Sequence, residues 1–151
     1  MLLIVESGST KADWMLIKEE GLIPFSTKGF NPLFHGKEDI LLELNNHLEL
    51  DLIKNQVTEI YFYGAGCSSP ELNSKIEAGL SEFFQNAKVS IGHDLLACAL
   101  SLYEGKPLIA SILGTGSNSC YYDGENLKEE VPALGYILGD EGSGSFFGKR
   151  I

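Results

Sequence analysis

The chain has 151 residues, 44% of them hydrophobic, and a formal net charge of −10. An acidic surface of that size argues against nucleic acid and anionic membrane as partners, because both need a basic face, and no apolar run approaches the roughly 20 residues of a membrane span. Three cysteines, Cys67, Cys98 and Cys120, occur without a C-x-x-C pair, which points to buried thiols in a reducing cytoplasm rather than to a disulfide framework or a zinc site. Met1 leads straight into an apolar run with no basic segment, so no signal peptide is expected. That run, residues 2–5, is continuous and reads as a strand buried on both faces. Residues 12–17 return antiparallel beside it. The turn between them holds Glu6, Ser7, Gly8, Ser9, Thr10 and Lys11. A glycine there lets the backbone approach a ligand, converging amides favour an anion, and the hydroxyls add donors. Glu6, at a strand end, suits Mg²⁺ held through water. The same turn is also compatible with a tight hairpin that binds nothing.

Residues 22–28 read as a third strand and 29–36 as a loop bounded by two glycines and stiffened by Pro32. Ile40, Leu41, Leu44 and Leu48 follow helical spacing, predicting one amphipathic helix over 37–50. A strand over 57–63, rich in β-branched and aromatic residues, ends at Gly64-Ala65-Gly66-Cys67. Ser69-Pro70-Glu71 is a helix start with a hydroxyl cap and proline at the first position, and Leu72, Ile76, Leu80, Phe83 and Phe84 form that helix's core face. Residues 88–92 read as a strand, and His93-Asp94 leads into a small apolar helix over 95–103.

Gly105-Lys106-Pro107 breaks the pattern and predicts a domain boundary, dividing the chain into 1–105 and 106–151. A buried strand over 108–113 then enters a second glycine turn, Gly114-Thr115-Gly116-Ser117-Asn118-Ser119, followed by a strand through Tyr122. Neither glycine turn is a G-x-x-x-x-G-K-[ST] loop, and neither opens directly into a helix. Two such hairpins suggest a polyphosphate clamped between two domains. Asp123-Gly124 is a turn signal with 126–131 as the return strand, and a last helix is predicted to start near Asp140, where acids suit its dipole. The region after Pro107 is short for a core of its own, so the chain is expected to stop part-way through the second domain.

The order of these elements, with the blocks Val5-Glu6-Ser7-Gly8-Ser9-Thr10-Lys11, Gly29-Phe30-Asn31, His93-Asp94, Leu113-Gly114-Thr115-Gly116-Ser117-Asn118 and Gly139-Asp140-Glu141-Gly142-Ser143, resembles the sugar-kinase/hsp70/actin superfamily. Within it the match is to the N-acetylglucosamine kinase group and the related BadF/BadG/BcrA/BcrD-type ATPases. Serines replace two glycines of that family's first loop, and its members are about twice this length, or roughly two domains. The resemblance implies an α/β fold: a ribonuclease H-like, actin-like ATPase domain with a mixed five-stranded sheet, plus the start of a second similar domain. It also implies phosphoryl transfer from ATP, with Mg²⁺, to an amino sugar, which is mostly positioning and charge stabilisation. Asp94 would be the general base, although its type and place also suit a helix cap. Ser7, Gly8, Ser9, Thr10 and Lys11, with Gly114, Thr115 and Gly116, would hold the phosphates, and Glu6 the Mg²⁺. Asn31, Asp94, Ser117, Asn118, Gly135 and Asp140 would bind the sugar, while Asn31 also fits a plain turn and Asp140 a helix N-terminus. Partners would be the sugar and ATP, with a homodimer left open. Two other readings are an ATPase that activates a partner enzyme, which would want cysteines placed for an Fe–S cluster, and a non-catalytic sugar- or nucleotide-binding module.

Overall fold

Strand β1 (Leu2–Ser7) is the centre of the first sheet in the computed structural model, which describes residues 1–129, 131 and 133–151. It pairs antiparallel with β2 (Lys11–Lys18) and parallel with β4 (Glu59–Gly64). β2 pairs antiparallel with β3 (Gly21–Lys28), and β4 parallel with β5 (Lys88–His93), giving the order β3-β2-β1-β4-β5. This is the mixed five-stranded sheet expected. Pro24 lies on the edge strand β3, where a missing N–H is tolerated.

The chain divides into two compact units, Met1–Asp94 and Leu95–Ile151. In the first, Leu3 and Val5 of β1 and Ile60 and Phe62 of β4 join Ile40, Leu44, Ile76 and Leu80 of the helices in one fully buried cluster. Trp14 lies at its centre, stacked on Phe25 at 5.8 Å, with its indole N–H donating to Thr27 Oγ1. β1 was expected to be buried on both faces. It instead alternates, with Leu3, Val5 and Ser7 inward and Ile4 and Glu6 outward, because the helices that share its cluster cover one face.

The helix predicted over 37–50 is two helices, α1 (Lys37–Asn45) and α2 (Leu48–Ile53). The break falls at Asn46-His47, where turn-prone asparagines end the first helix. The Asn46 amide closes back on Glu43 O and the His47 amide on Leu44 O, and the His47 ring lies 3.1 Å from Glu43 Oε1. At the start of α1, Gly36 N–H donates to the Asp39 carboxylate. Helix α3 (Pro70–Phe83) is capped as its sequence predicts, with Ser69 Oγ accepting from Leu72 N.

Gly79 lets α3 pack directly on α1, since a Cβ there would stand 2.8 Å from Ile40 Cγ2 and 2.9 Å from Ile40 Cβ. Alanine in an exposed helix gains about 1 kcal/mol over glycine. Gly79→Ala should do the opposite and cost about 1–3 kcal/mol through overpacking, which urea unfolding would measure.

The second unit takes α4 (Asp94–Leu102) from Leu95 onward, followed by β6 (Leu108–Leu113), β7 (Ser117–Tyr122) and β8 (Leu127–Lys128), which form an antiparallel sheet in that order. Short helices α5 (Gly135–Leu138) and α6 (Gly144–Gly148) follow. The division precedes the expected 105/106 boundary because α4 buries Leu95 and Ala99 against Ala110, Cys120 and Tyr122. β6 also alternates, with Ile109 and Leu113 exposed and Ala110 buried. β8 is shorter than the strand expected over 126–131, of which Glu130 lies outside the described residues. Asp123 Oδ1 accepts from the amides of Glu125 and Asn126, which lowers the Asp123 carboxyl and ties the turn preceding β8. Among the described residues no helix is long and apolar enough to cross a membrane.

Candidate functional site

The parallel strands of the first unit end together. Ser7 is opposite Gly64 and Gly64 opposite His93, so the turn after β1, the loop after β4 and the start of α4 emerge along one edge of the sheet. The carboxyl edge of parallel strands is where α/β sheets bind ligands.

The turn after β1 is braced from within. Gly8 N–H donates to Lys11 O at 2.9 Å, and Gly29 N–H to Thr10 O at 3.1 Å. A Cβ on Gly29 would stand 2.1 Å from Gly8 O, so the loop after β3 packs backbone to backbone against the turn. Ser7, expected to touch phosphate, is fully buried, and its Oγ accepts from Phe30 N at 2.8 Å. It is a brace, because a hydroxyl at that depth cannot reach a ligand. Ser9, Thr10 and Lys11 are exposed, and Lys11 Nζ lies 2.6 Å from Asp13 Oδ1. Asn31, expected to bind sugar, is 5% exposed, and its carboxamide is bonded to Ser9 Oγ and Leu33 N.

Asp94 opens α4, with a side chain 18% exposed and Oδ1 at 3.0 Å from His93 Nδ1. Glu6 projects from the open face of β1, directly opposite Asp13 on β2. Its carboxyl is raised above the ordinary range, first by desolvation and then by the Asp94 and Asp13 carboxylates, with Lys11 opposing. The Cys67 thiol, buried and facing Asp94, is pushed up to about 11 by desolvation and by that carboxylate, and stays a thiol at neutral pH. The Glu6 carboxylate is a hard oxygen donor of the kind Mg²⁺ takes through its own waters. Among the described residues no group of three or more His, Cys, Asp or Glu side chains is placed to hold a metal directly.

Because the Glu6 carboxyl is raised in the folded chain, its ionisation destabilises the fold. That penalty is absent below the ordinary glutamate range and grows as pH rises through the raised value. Glu6→Gln should therefore stabilise the protein at pH 7, by roughly 0.5 kcal/mol for a solvent-screened like-charge pair across strands. The gain should vanish toward pH 4, as thermal unfolding across pH would record.

In the second unit the glycine turn leans on the chain's last turn. Gly144 N–H donates to Gly114 O, Ser145 N–H to Thr115 O, and Ser145 Oγ to Thr115 O at 2.6 Å. Gly114 N–H is spent within the turn, on Gly116 O. Thr115 is exposed. Asp140 has φ 63°, the left-handed region, and among the described residues no other non-glycine does. Its Oδ1 accepts from Ser117 N at 3.1 Å, and a Cβ on Gly116 would stand 3.0 Å from that oxygen.

The predicted helix near Asp140 begins instead at Gly144, capped by Ser143 Oγ accepting from Phe146 N, so the helix-dipole role for Asp140 falls away. Asn118 spans Glu129 through Nδ2 and its own neighbour's amide, Ser119 N, through Oδ1. Ser117, Asn118, Ser119, Asp140, Glu141 and Leu113 line part of an open cleft of about 290 Å³. Gly135, also expected at the sugar, opens α5 with φ 68° and is not on that cleft's wall. Gly144 and Ser145 carry no sequence signal for their bonds to residues 114–115, since the partners lie 30 positions apart.

The β3-β2-β1-β4-β5 order, helices between the parallel strands and turns gathered at the strand ends define an α/β protein of the ribonuclease H-like, actin-like ATPase fold. Among solved structures, a candidate N-acetylglucosamine kinase from Porphyromonas gingivalis is 38% identical with a TM-score of 0.90, over 99% of this chain and 54% of its own. A candidate N-acetylglucosamine kinase from Chromobacterium violaceum gives 20% identity and a TM-score of 0.64, over 99% of this chain and 54% of its own. A candidate sugar kinase from Cytophaga hutchinsonii gives 23% and 0.55, over 89% and 52%. The latter two speak for the fold alone. The resemblance to sugar kinases read from the motifs is thus borne out, and the chain spans about half the length of the structures it matches. No family model and no curated protein matches it.

Proposed function

We propose that the chain carries part of an ATP-dependent kinase that phosphorylates a hydroxyl of an amino sugar of the N-acetylglucosamine type, in the cytoplasm. The observation that supports this most is Asp94, a largely buried carboxylate that opens a helix at the carboxyl edge of the parallel strands, within electrostatic reach of Glu6 and on the same edge as the glycine turn. Asp94 takes the proton of the attacking hydroxyl, and the His93 ring at 3.0 Å holds the carboxylate in orientation. Glu6 holds Mg²⁺ through water. That ion neutralises charge on the transferring phosphoryl group when bound.

Gly8, Ser9, Thr10 and Lys11 take phosphate oxygens in the first unit, and Thr115 and Gly116 do so in the second. The cleft of Ser117, Asn118 and Asp140 offers groups that pair with sugar hydroxyls, with Gly135 nearby in sequence. The test is ADP release in a coupled assay, with and without N-acetylglucosamine, on the chain alone and joined to the further length that its relatives carry. Sugar-dependent release supports the reading. Release that ignores the sugar points to an ATPase, and sugar binding without release to a binding module.

A further inference from the structure

We propose that His35 is a specificity-determining residue that donates a hydrogen bond to the acetamido carbonyl of the sugar, which deepens the kinase reading and rests on it. β3 runs in the same direction as β1, so the loop after it, residues 29–36, leaves the sheet at the edge where the turn after β1 and the loop after β4 emerge. It is packed between those two. A Cβ on Gly29 would meet the backbone of Gly8, Ser9 and Lys11, and one on Gly66 would stand 2.6 Å from Asn31 Oδ1. The loop is also held in one conformation. Leu33 N–H donates to Asn31 Oδ1, the amides of Phe34 and His35 donate to Asn31 O, and Lys75 Nζ of α3 donates to Pro32 O at 3.0 Å.

Asn31 N–H donates to His35 Nδ1 at 3.1 Å. A backbone N–H can only donate, so Nδ1 must accept, and the ring then carries its proton on Nε2. The tautomer is thus set by the backbone, and Nε2–H is a donor mounted on a rigid loop. The ring is half-buried, and among the described residues no group accepts from Nε2. An imidazole in this tautomer brings no charge, so it suits a neutral amide oxygen better than a phosphate. The two residues before it are Leu33 and Phe34, 60% and 75% exposed although the backbone that carries them is pinned. Large apolar side chains held in solvent beside a single N–H donor match a carbonyl with a methyl next to it. That is the acetamido group, which separates N-acetylglucosamine from glucose.

The test is steady-state kinetics on the chain joined to the further length that its relatives carry, with N-acetylglucosamine, and with glucose as acceptor or competing inhibitor. In His35→Asn, Oδ1 takes the place of Nδ1 and still receives from Asn31 N–H, but the side chain stops short of Nε2. It should raise KM for N-acetylglucosamine about 3- to 10-fold, the worth of one neutral hydrogen bond, and move glucose and MgATP by less than about twofold. His35→Gln puts its NH₂ near the Nε2 position and gives up the Nδ1 acceptor, so it should keep the lower KM of the two. A ring that only braces the loop predicts the opposite order, with asparagine the better replacement. Phe34→Ala, at an exposed position, keeps the claim testable if neither histidine variant folds. It should raise the same KM about fourfold, the worth of one methyl group taken from water, and leave glucose unchanged. The proposal is overturned by the opposite order of the two histidine variants, by equal losses with both sugars, by a loss confined to MgATP, or by an unchanged KM in Phe34→Ala. Should the unsubstituted protein phosphorylate no sugar, the kinase reading itself fails and the inference falls with it, an outcome distinct from the wrong order among active variants.

Discussion

Asp94→Asn should lower sugar-dependent turnover by about 10²- to 10⁴-fold, the usual worth of a positioned general base, while sugar affinity changes by less than roughly threefold. The carboxamide keeps the size of the carboxylate and can still face the His93 ring, so the ground-state complex is preserved. What it cannot do is take a proton from the attacking hydroxyl. A group that acts only as charge transfers in the transition state shows itself in kcat with KM little altered. Asp94→Ala should add a loss of sugar affinity, because a partner of the hydroxyl disappears as well. Turnover within tenfold of the unsubstituted protein in Asp94→Asn would remove the residue from the role of base.

Gly29→Ala should be the most damaging single methyl group in the first unit. Its Cβ would lie 2.1 Å from Gly8 O, 2.8 Å from Ser9 C and 2.9 Å from Lys11 N, all backbone, with no flexible side chain to swing aside. The turn after β1 must move by about 1 Å to admit it, and for the catalytic role proposed, misplacement on that scale costs on the order of 100-fold in rate. Overpacking should take a further 1–3 kcal/mol or so from stability. The comparison is Gly148→Ala, at the exposed end of α6, where a Cβ meets nothing within 4 Å and φ is not in the left-handed region, and which should leave nucleotide affinity unchanged and raise stability by at most about 1 kcal/mol. Nucleotide affinity and urea unfolding on the two variants would separate a contact effect from a general intolerance of glycine replacement.

The glycine turns, the strands around them and α3 were legible because their signals are local: apolar runs, a Ser-Pro helix start, a Gly-Ser turn. The resemblance then supplied the fold. What was not legible depends on contacts between distant residues. Nothing in the apolar spacing of 37–50 distinguishes one helix from two. Only the capping bonds at Asn46 and the His47–Glu43 pair do so. Ser7 and Ser9 look alike in sequence, yet Ser7 takes an inward position of β1 while Ser9 lies beyond the strand's end in the exposed turn. The Asn31 carboxamide is held by Ser9 and Leu33, 22 and 2 positions away, and the bond to Ser9 has no trace in the neighbouring sequence. Asp140 sits in a left-handed turn rather than on a helix because its carboxylate holds Ser117 N–H, a partner 23 positions earlier. The raised Glu6 carboxyl likewise follows from the β1–β2 register and the return of the chain at Asp94, not from neighbours in sequence.

The most direct test is a crystal structure of the protein soaked with N-acetylglucosamine. The account predicts sugar density with one hydroxyl oxygen about 2.6–3.2 Å from a carboxylate oxygen of Asp94. Sugar bound elsewhere, with Asp94 out of reach of every hydroxyl while turnover persists, would contradict it.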